Sequence, residues 1–228
     1  MNIGILGSGG VGRAIAAKCA SLGHDVMIGT RDVQATMAST ARSPMGGAPF
    51  AEWHKGHGQV KVGAYAQAAA HGALLINATS GAGSLEALRL AGEQGIAGKT
   101  LIDISNPLDF SKGMPPTLFV CNDDSLGERI QRAFPEARVV KTLNTLTAAL
   151  MVSPGLLAER TSIFLSGNDA GAKEEARALL RQFGWADADM IDLGDITTAR
   201  GTEQLLPIWI RLWGALQTPM FNFRVVKA

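Results

Sequence analysis

Cysteine is nearly absent from this sequence, which contains only Cys19 and Cys121 among its 228 residues. Small domains stabilised by disulfides need several closely spaced cysteines, so that class of protein is excluded. Cys19 falls on the apolar stripe of a predicted helix, and Cys121 has no other metal-ligating residue type nearby. We therefore predict no disulfide and no metal site, and we expect a cytoplasmic protein.

An excess of one charge and long apolar runs are also missing. The net charge is +1, so the sequence offers no basic surface for nucleic acid or an anionic membrane. The longest apolar stretch, residues 205–216, is interrupted by Pro207 and Arg211 and is too short to span a membrane. No basic leader precedes the first apolar run, so no signal peptide is expected. We predict a small-molecule partner, without nucleic acid or membrane.

The most informative stretch is a glycine-rich turn between a strand pattern and a helix pattern. It consists of Gly7, Ser8, Gly9, Gly10, Val11 and Gly12. The apolar run 2–6 precedes the turn, and apolar residues recur at helical spacing through residue 22. In this context Gly7 permits the tight turn, Gly9 allows a pyrophosphate to approach the backbone, and Gly12 allows the helix to pack closely. The turn therefore predicts a dinucleotide-binding site.

The end of the second predicted strand, 25–29, indicates which dinucleotide is bound. Sites selective for NAD place an acidic residue there to accept the ribose hydroxyls. This chain has Thr30 and Arg31 instead, and Asp32 comes one or two positions late. A hydroxyl beside a guanidinium suits the additional phosphate of NADP. The sequence thus favours NADP over NAD, the alternative being that Arg31 is only a solvated surface charge.

Strand and helix patterns continue to alternate after residue 59. Apolar runs at 60–63, 73–78, 100–104, 138–143 and 162–166 predict strands, mostly separated by helical segments. The alternation predicts an α/β fold, a Rossmann-type, doubly wound, mostly parallel sheet with a small C-terminal helical extension. We place the dinucleotide-binding domain at 1–166 and the extension at 167–228. The glycine- and proline-rich residues 43–58 predict a loop.

Small polar residues follow several of the predicted strands. They occur at 77–80, 105–107 and 144–147. Open α/β sheets bind ligands at the carboxyl ends of their strands, so these segments predict one shared site. Asn144, and then Asn106, are our candidates for orienting the reacting rings. The alternative is that each asparagine only bonds the backbone of its own turn.

The last predicted helix, 197–216, is apolar on most sides. Its stripe consists of Leu205, Trp209, Leu212, Trp213 and Leu216. A helix of this kind is buried on most sides, and a small chain cannot easily cover it alone. We therefore expect the helix at a homodimer interface, with packing inside the chain as an equal alternative for Trp209 and Trp213.

Taken together, these segments resemble one family. They are the glycine turn 7–12, Gly29–Arg31, Val139–Thr145, Ser166–Asp169, Asp192–Asp195 and 199–203. The chain is similar to the deazaflavin-dependent NADP oxidoreductases, which include the NADPH-dependent reductases of coenzyme F420 and their bacterial relatives. Its N-terminal part also resembles the cytoplasmic reductase domain of ferric reductases. The likeness covers nearly the whole chain, although archaeal members have one more residue in the glycine loop and a histidine at the position of Asn144.

The resemblance implies where NADP(H) lies. The turn residues Ser8–Val11 would hold the pyrophosphate, and Thr30 and Arg31 the adenosine phosphate. Ala78 and Thr79 would border the nicotinamide ribose, with Asn144 and Ala148 close by. Coenzyme F420 is then a possible co-substrate, and hydride transfer between stacked rings would depend mainly on positioning.

Three functions are considered for a chain with these motifs. The first is an NADPH-dependent oxidoreductase acting on a deazaflavin, a flavin-like compound or another small acceptor. The second is a 3-hydroxyacid dehydrogenase, which needs a catalytic lysine on a large helical second domain, and too few residues follow Ser166 for one. The third is a non-catalytic NADP-binding sensor or regulatory module, which would show an occluded nicotinamide pocket and no turnover.

Overall fold

The computed structural model describes residues 1–42 and 47–228, and its main sheet has eight strands within them. In chain order the strands are β1 (Asn2–Leu6), β2 (Asp25–Thr30), β3 (Lys61–Ala64), β4 (Leu74–Asn77), β5 (Thr100–Asp103), β6 (Leu108–Asp109), β7 (Thr117–Leu118), β8 (Arg138–Lys141), β9 (Ile163–Ser166) and β10 (Met190–Gly194). The main sheet has the order β10-β9-β8-β5-β4-β1-β2-β3, and β6 and β7 form a separate hairpin. This architecture confirms the predicted Rossmann-type fold.

Within the main sheet the pairing of the strands is parallel except between β8 and β9. The register places Asn77 opposite Asp103, and Asp103 opposite Lys141. Three polar residues from β4, β5 and β8 therefore lie side by side at the carboxyl edge of the sheet. A parallel sheet collects its strand ends in this way, and this edge is where its ligands bind.

Helices cover both faces of the sheet. In chain order they are α1 (Gly10–Ser21), α2 (Val33–Ala38), α3 (Phe50–Lys55), α4 (Tyr65–His71), α5 (Gly81–Ala91), α6 (Glu93–Ile96), α7 (Leu126–Ala133), α8 (Ala148–Val152), α9 (Ala170–Phe183), α10 (Ala199–Gln204) and α11 (Leu206–Leu216). Alternate residues of a strand point to opposite faces, so Ile76 packs in the apolar cluster that includes α1 and α9. Its neighbour Leu75 packs in the cluster that includes α4, α5 and α7.

Cys19 lies fully buried in the first of these clusters. Burial raises the pKa of its thiol to about 12, because the thiolate would be desolvated there. Cys19 is therefore an uncharged packing residue, as its place on the helical stripe predicts.

Two predicted segments differ from the structure. The loop prediction for 43–58 falls partly outside the described residues, at 43–46, and is wrong at 50–55, which form α3. Phe50 is 5% exposed, and it fixes this short helix to the core despite the surrounding glycines and prolines. The predicted helix 197–216 is divided at Leu205 into α10 and α11. Pro207 lies in the first turn of α11, where its missing N–H cannot continue the ladder of α10.

The division of the chain at residue 166 stays a prediction. Strand β9 ends at this boundary and pairs with β10 beyond it, so the main sheet has strands from both sides. No helix among the described residues is long and apolar enough to cross a membrane.

Candidate cofactor and active site

Two glycines of the turn are required by the protein itself. Gly7 has a φ of +121°, a conformation that favours glycine, and a Cβ there would lie 2.6 Å from the carbonyl oxygen of Ala78. A Cβ on Gly12 would collide with the carbonyl oxygen of Gly7. These glycines therefore let β1, α1 and the end of β4 pack against one another.

Gly9 is different, because no atom of the described residues requires a glycine there. Its φ of −71° and ψ of −177° are open to any residue, and within residues 1–42 and 47–228 nothing lies within 4 Å of the position of a Cβ. Gly9 is the N-cap of α1 and provides no side-chain cap for the first N–H groups of that helix. The surface here is thus an uncapped, electropositive helix start with open space in front of it, which fits a phosphate group.

A first cavity of about 460 Å³ lies on one side of this turn. It is lined by Ser8, Gly9, Arg13, Thr30, Arg31, Asp32, Ala35, Thr36, Ser39, Ala41, Arg42 and Phe50. The Thr30 hydroxyl lies 2.7 Å from that of Thr36. Arg31 is mostly exposed, and its guanidinium makes a loose contact of 3.6 Å to Glu86. Exposed pairs of this kind contribute little, so Arg31 can turn toward a ligand at small cost.

The late position of Asp32 has a structural explanation. Its carboxylate accepts a hydrogen bond of 2.9 Å from the N–H of Ala35 and caps α2. The acidic side chain is thereby committed to the start of a helix. The assignment of Thr30 and Arg31 to the adenosine phosphate stays a prediction.

Sequence reasoning missed two further arginines in the first cavity, Arg13 and Arg42. Arg13 is buried, and desolvation lowers the pKa of its guanidinium. One of its terminal nitrogens donates to the carbonyl of Ala48, while its Nε has no partner among the residues described. Three arginines in one cavity make it attractive to a polyanion. The sequence signal that could have identified Arg13 is a charged residue in the first turn of a buried helix.

A second cavity of about 280 Å³ lies on the other side of the turn. It is lined by Gly10, Val11, Ile104, Asn106, Leu108, Asn144, Leu146, Thr147, Ala148, Met151, Leu206 and Trp209. The side chain of Asn144 donates to Oδ1 of Asn106 at 2.9 Å, and Nδ2 of Asn106 donates to the Asn144 carbonyl at 2.8 Å. The structure thus brings the two predicted asparagines and Ala148 into one mainly apolar cavity, and it pairs the asparagines with each other.

The backbone in front of Asn144 is strained. Leu143 has a φ of +59°, in the left-handed region that a branched apolar side chain rarely adopts. Such strain persists only where the surrounding structure imposes it, and it concentrates at functional sites. Here it turns the chain after β8, so that Asn144 faces Asn106 across the strand ends.

Ala78 and Thr79 lie beside the glycine turn, and neither is among the described residues that line the second cavity. The Thr79 hydroxyl bonds Asn77 at 2.6 Å and Ser84 at 2.8 Å, so it is turned into the protein. Their contact with a nicotinamide ribose stays a prediction, as do the cofactor contacts assigned to the other site residues.

A buried ion cluster lies beneath the strand ends, and the sequence did not reveal it. The Lys141 ammonium is 2.8 Å from Asp103 and 2.7 Å from Glu203, and all three side chains are almost completely inaccessible. Desolvation lowers the pKa of Lys141, but attraction to the two carboxylates outweighs it and the pKa is raised. Lys141 is therefore charged at neutral pH. The stability that it contributes is complete below its ordinary pKa and is lost as the pH rises through the raised one.

Each carboxylate of this cluster is fully bonded. Asp103 also accepts hydrogen bonds from Asn77 at 2.8 Å and from the Ser105 hydroxyl at 2.7 Å. Glu203 accepts the N–H groups of Leu126 and Gly127 at the start of α7. The cluster therefore connects strand ends β4, β5 and β8 to α10, which carries Glu203, and holds the C-terminal helices beside the second cavity.

The two histidines of the predicted loop, His54 and His57, contact backbone carbonyls. His54 lies 2.9 Å from the oxygen of Val60, and His57 lies 2.8 Å from that of Trp53. Among residues 1–42 and 47–228, no group of three or more histidine, cysteine and acidic side chains could hold a metal ion.

A strand, a glycine turn and a helix, with a cavity on each side of the turn, define a dinucleotide-binding protein of the Rossmann class. The family model described as NADP oxidoreductase, coenzyme F420-dependent, matches residues 2–107. A candidate F420-dependent NADP reductase from Arthrobacter sp. has a solved structure that is 57% identical to this chain, with a TM-score of 0.94 and complete coverage of both chains. The chain belongs to the coenzyme F420-dependent NADP oxidoreductase family, and it is an NADP-dependent oxidoreductase.

More distant relatives share less of the chain. Metalloreductase STEAP3 of Rattus norvegicus is 26% identical over 91% of this chain, which spans 37% of that protein. The structure of a reductive aminase from Aspergillus terreus, in complex with NADPH4, cyclohexanone and allyl amine, is 18% identical with a TM-score of 0.61. It covers 95% of this chain and 62% of its own, and at this identity it shows a shared fold alone.

Proposed function

We propose that this protein transfers hydride between NADP(H) and a planar acceptor, a deazaflavin or a flavin-like compound, held in the second cavity. One observation carries the proposal. Ser8 and Gly9 line the first cavity, and the next two residues, Gly10 and Val11, line the second. A dinucleotide whose pyrophosphate rests on the turn extends its adenosine half into one cavity and its nicotinamide half into the other.

The residues of both cavities suit this cofactor. The first offers the arginines Arg13, Arg31 and Arg42 and the hydroxyl of Thr30 to the phosphorylated adenosine. The turn offers Gly9, where the space in front of the backbone is open. NADPH, when bound, supplies the hydride. The residues of the chain then act by position, because the apolar side chains of the second cavity exclude water and the neutral pair Asn106 and Asn144 orients a ring without adding charge.

The proposal is tested by following NADPH oxidation against coenzyme F420, FMN, ferric chelates and small carbonyl compounds. We expect turnover with the deazaflavin or the flavin, because an apolar cavity with two amides favours a flat polar ring. Tight NADPH binding without turnover of any acceptor would support the sensor alternative and contradict this function.

Replacement of Arg31 by alanine tests the selection of NADPH. The variant should lose about 1–3 kcal/mol of NADPH affinity, the size of a charge-assisted hydrogen bond, and little NADH affinity. Fluorescence titration of both cofactors measures the difference. Glu86→Ala is the matched control, since it removes the partner 3.6 Å from Arg31 but keeps the guanidinium. Equal binding of NADH and NADPH to the native protein would refute the assignment.

Replacement of Asn144 by alanine tests the orienting role. We expect kcat/KM for the acceptor to fall at least tenfold, about 1.4 kcal/mol, while NADPH dissociation changes little. The reason is that Asn144 lines the second cavity and leaves the first cavity untouched. Steady-state kinetics measure the change in kcat/KM, and circular dichroism checks that the variant is folded. Native turnover in a folded variant would show that the asparagine only supports its turn.

We also infer a homodimer that forms in a cytoplasmic setting. The structure changes which residues carry this inference, because Trp209 is only 6% exposed and packs inside its own chain. Ile208 and Leu216 of α11 are 48% and 54% exposed and form the free apolar surface of that helix. Ile208→Glu with Leu216→Glu should convert a dimer to a soluble monomer in sedimentation experiments. A native monomer at micromolar concentration would rule the dimer out.

A further inference from the structure

Trp209 has a buried hydrogen-bond donor that no described residue satisfies. The side chain lines the second cavity, and its indole Nε1 has no partner among residues 1–42 and 47–228. Buried indole N–H groups normally find an acceptor, because leaving a desolvated donor unpaired is unfavourable. Trp185 behaves in the usual way, since its Nε1 donates to the carbonyl of Met151 at 3.0 Å. The exception at Trp209 therefore calls for an acceptor that enters the cavity from outside.

The indole of Trp209 is held firmly in place. Its ring stacks on Phe221 at a centroid distance of 5.3 Å and 27° between planes, and it contacts Trp213 at 5.8 Å. The buried ion cluster, through Glu203 in α10, holds the preceding helix to the strand ends. Trp209 consequently cannot swing away to find another partner without disturbing packed aromatic rings.

We propose that Trp209 is an acceptor-binding residue, whose indole N–H donates to a ring carbonyl oxygen of the hydride acceptor. This inference rests on the function proposed above. Trp209 enters the cavity from α11, whereas Gly10 and Val11 of the glycine turn line it from α1. The nicotinamide half follows the turn, so the donor from α11 is left for the second ring.

The charge that develops on the acceptor explains why a hydrogen-bond donor would be useful at this position. NADPH loses a hydride and becomes NADP⁺, and the acceptor ring gains the hydride together with its negative charge. In a deazaflavin or flavin that charge spreads onto the conjugated nitrogen and carbonyl oxygen before water supplies a proton. An indole N–H that donates to the carbonyl oxygen stabilises the charge as it develops.

The experiment observes the N–H itself in the intact chain. The four tryptophans give four indole signals in the proton–nitrogen correlation spectrum of ¹⁵N-labelled protein. The Trp209 signal is identified by its loss in Trp209→Phe and, independently, by its nuclear Overhauser contact with the Phe221 ring. With NADP⁺ present, saturation with coenzyme F420 or FMN should move this signal downfield, while the bonded Trp185 signal stays in place.

Kinetics provide the second measurement. Trp209→Phe should raise KM for the acceptor or lower kcat at least tenfold while the dissociation constant of NADPH stays within about twofold. Trp53→Phe is the matched control, because it is the same change at a tryptophan that stacks on His57 and is outside the described lining of both cavities. It should behave as the native protein does.

Each result decides the matter. An acceptor that turns over while the Trp209 signal stays unmoved overturns the inference and leaves the proposed function intact. A shift produced fully by NADP⁺ alone also overturns it, because the N–H would then bond the nicotinamide carboxamide. If no acceptor turns over or alters the spectrum, the proposed function fails and the inference fails with it.

Discussion

Lys141→Met should destabilise the protein by about 3–5 kcal/mol, the cost of leaving buried charges without their partner. In the native chain one ammonium is shared by Asp103 and Glu203, at 2.8 and 2.7 Å, in a site that water does not reach. Methionine fills nearly the same volume but carries no charge, so two buried carboxylates would repel each other without a counter-charge. Urea denaturation monitored by circular dichroism measures the loss as a fall in the free energy of unfolding.

Lys61→Met is the matched control for that variant. Lys61 also forms an ion pair of 2.7 Å, with Asp25, but about half of each side chain is exposed. Water and salt screen such a pair, so its loss should be small by comparison. The double variant Lys141→Met/Glu203→Gln should recover part of the stability because one uncompensated charge is removed. Equal losses of unfolding free energy in Lys141→Met and Lys61→Met would show that the buried cluster contributes no more than an exposed ion pair.

Gly9→Val should abolish NADPH binding, by at least a hundredfold, and leave the fold intact. The backbone of Gly9 is extended and a Cβ there meets no atom of the part of the chain that the structure describes, so valine costs the fold only roughly 1 kcal/mol at this N-cap position. The same side chain would occupy the open space in which we place the pyrophosphate. Isothermal titration with NADPH, together with thermal unfolding, separates the two effects.

Gly12→Ala should show the opposite behaviour, which makes the test specific. Its methyl group would collide with the carbonyl oxygen of Gly7, so we expect this variant to lose its fold before its ligand can be examined. A folded Gly9→Val protein that binds NADPH with native affinity would refute the assignment of the turn.

The strand and turn pattern of the fold could be predicted because it is local. A few neighbouring residues are enough to recognise the apolar run 2–6, the glycines after it and the polar residues at 77–80. The structure has these segments in the predicted places. Helix α3 could not be predicted, since its burial depends on one residue, Phe50, among glycines and prolines. Local composition there favours a loop, and a tertiary contact overrides it.

Parts of the site escaped sequence reasoning because they depend on register and distant packing. Lys141 meets Asp103 only because β5 and β8 pair in one register, and Glu203 approaches from another helix. Likewise, the stripe pattern of the last helix identifies Trp209 as buried, but the sequence does not say whether a partner chain or a cavity lies against it. The structure answers this question for Trp209 and leaves the dimer to experiment.

The strand order also bears on solubility during synthesis. The main sheet ends in β3 and β10, and the end strands of a sheet can recruit strands from other chains. Lys61 on β3 and Asp192 on β10 place charges there. Each forms an ion pair, Lys61 with Asp25 and Asp192 with Lys173. A register shift between Asp192 and Gly194 further disrupts the outer edge. The chain thereby discourages edge-to-edge aggregation at both ends of the sheet.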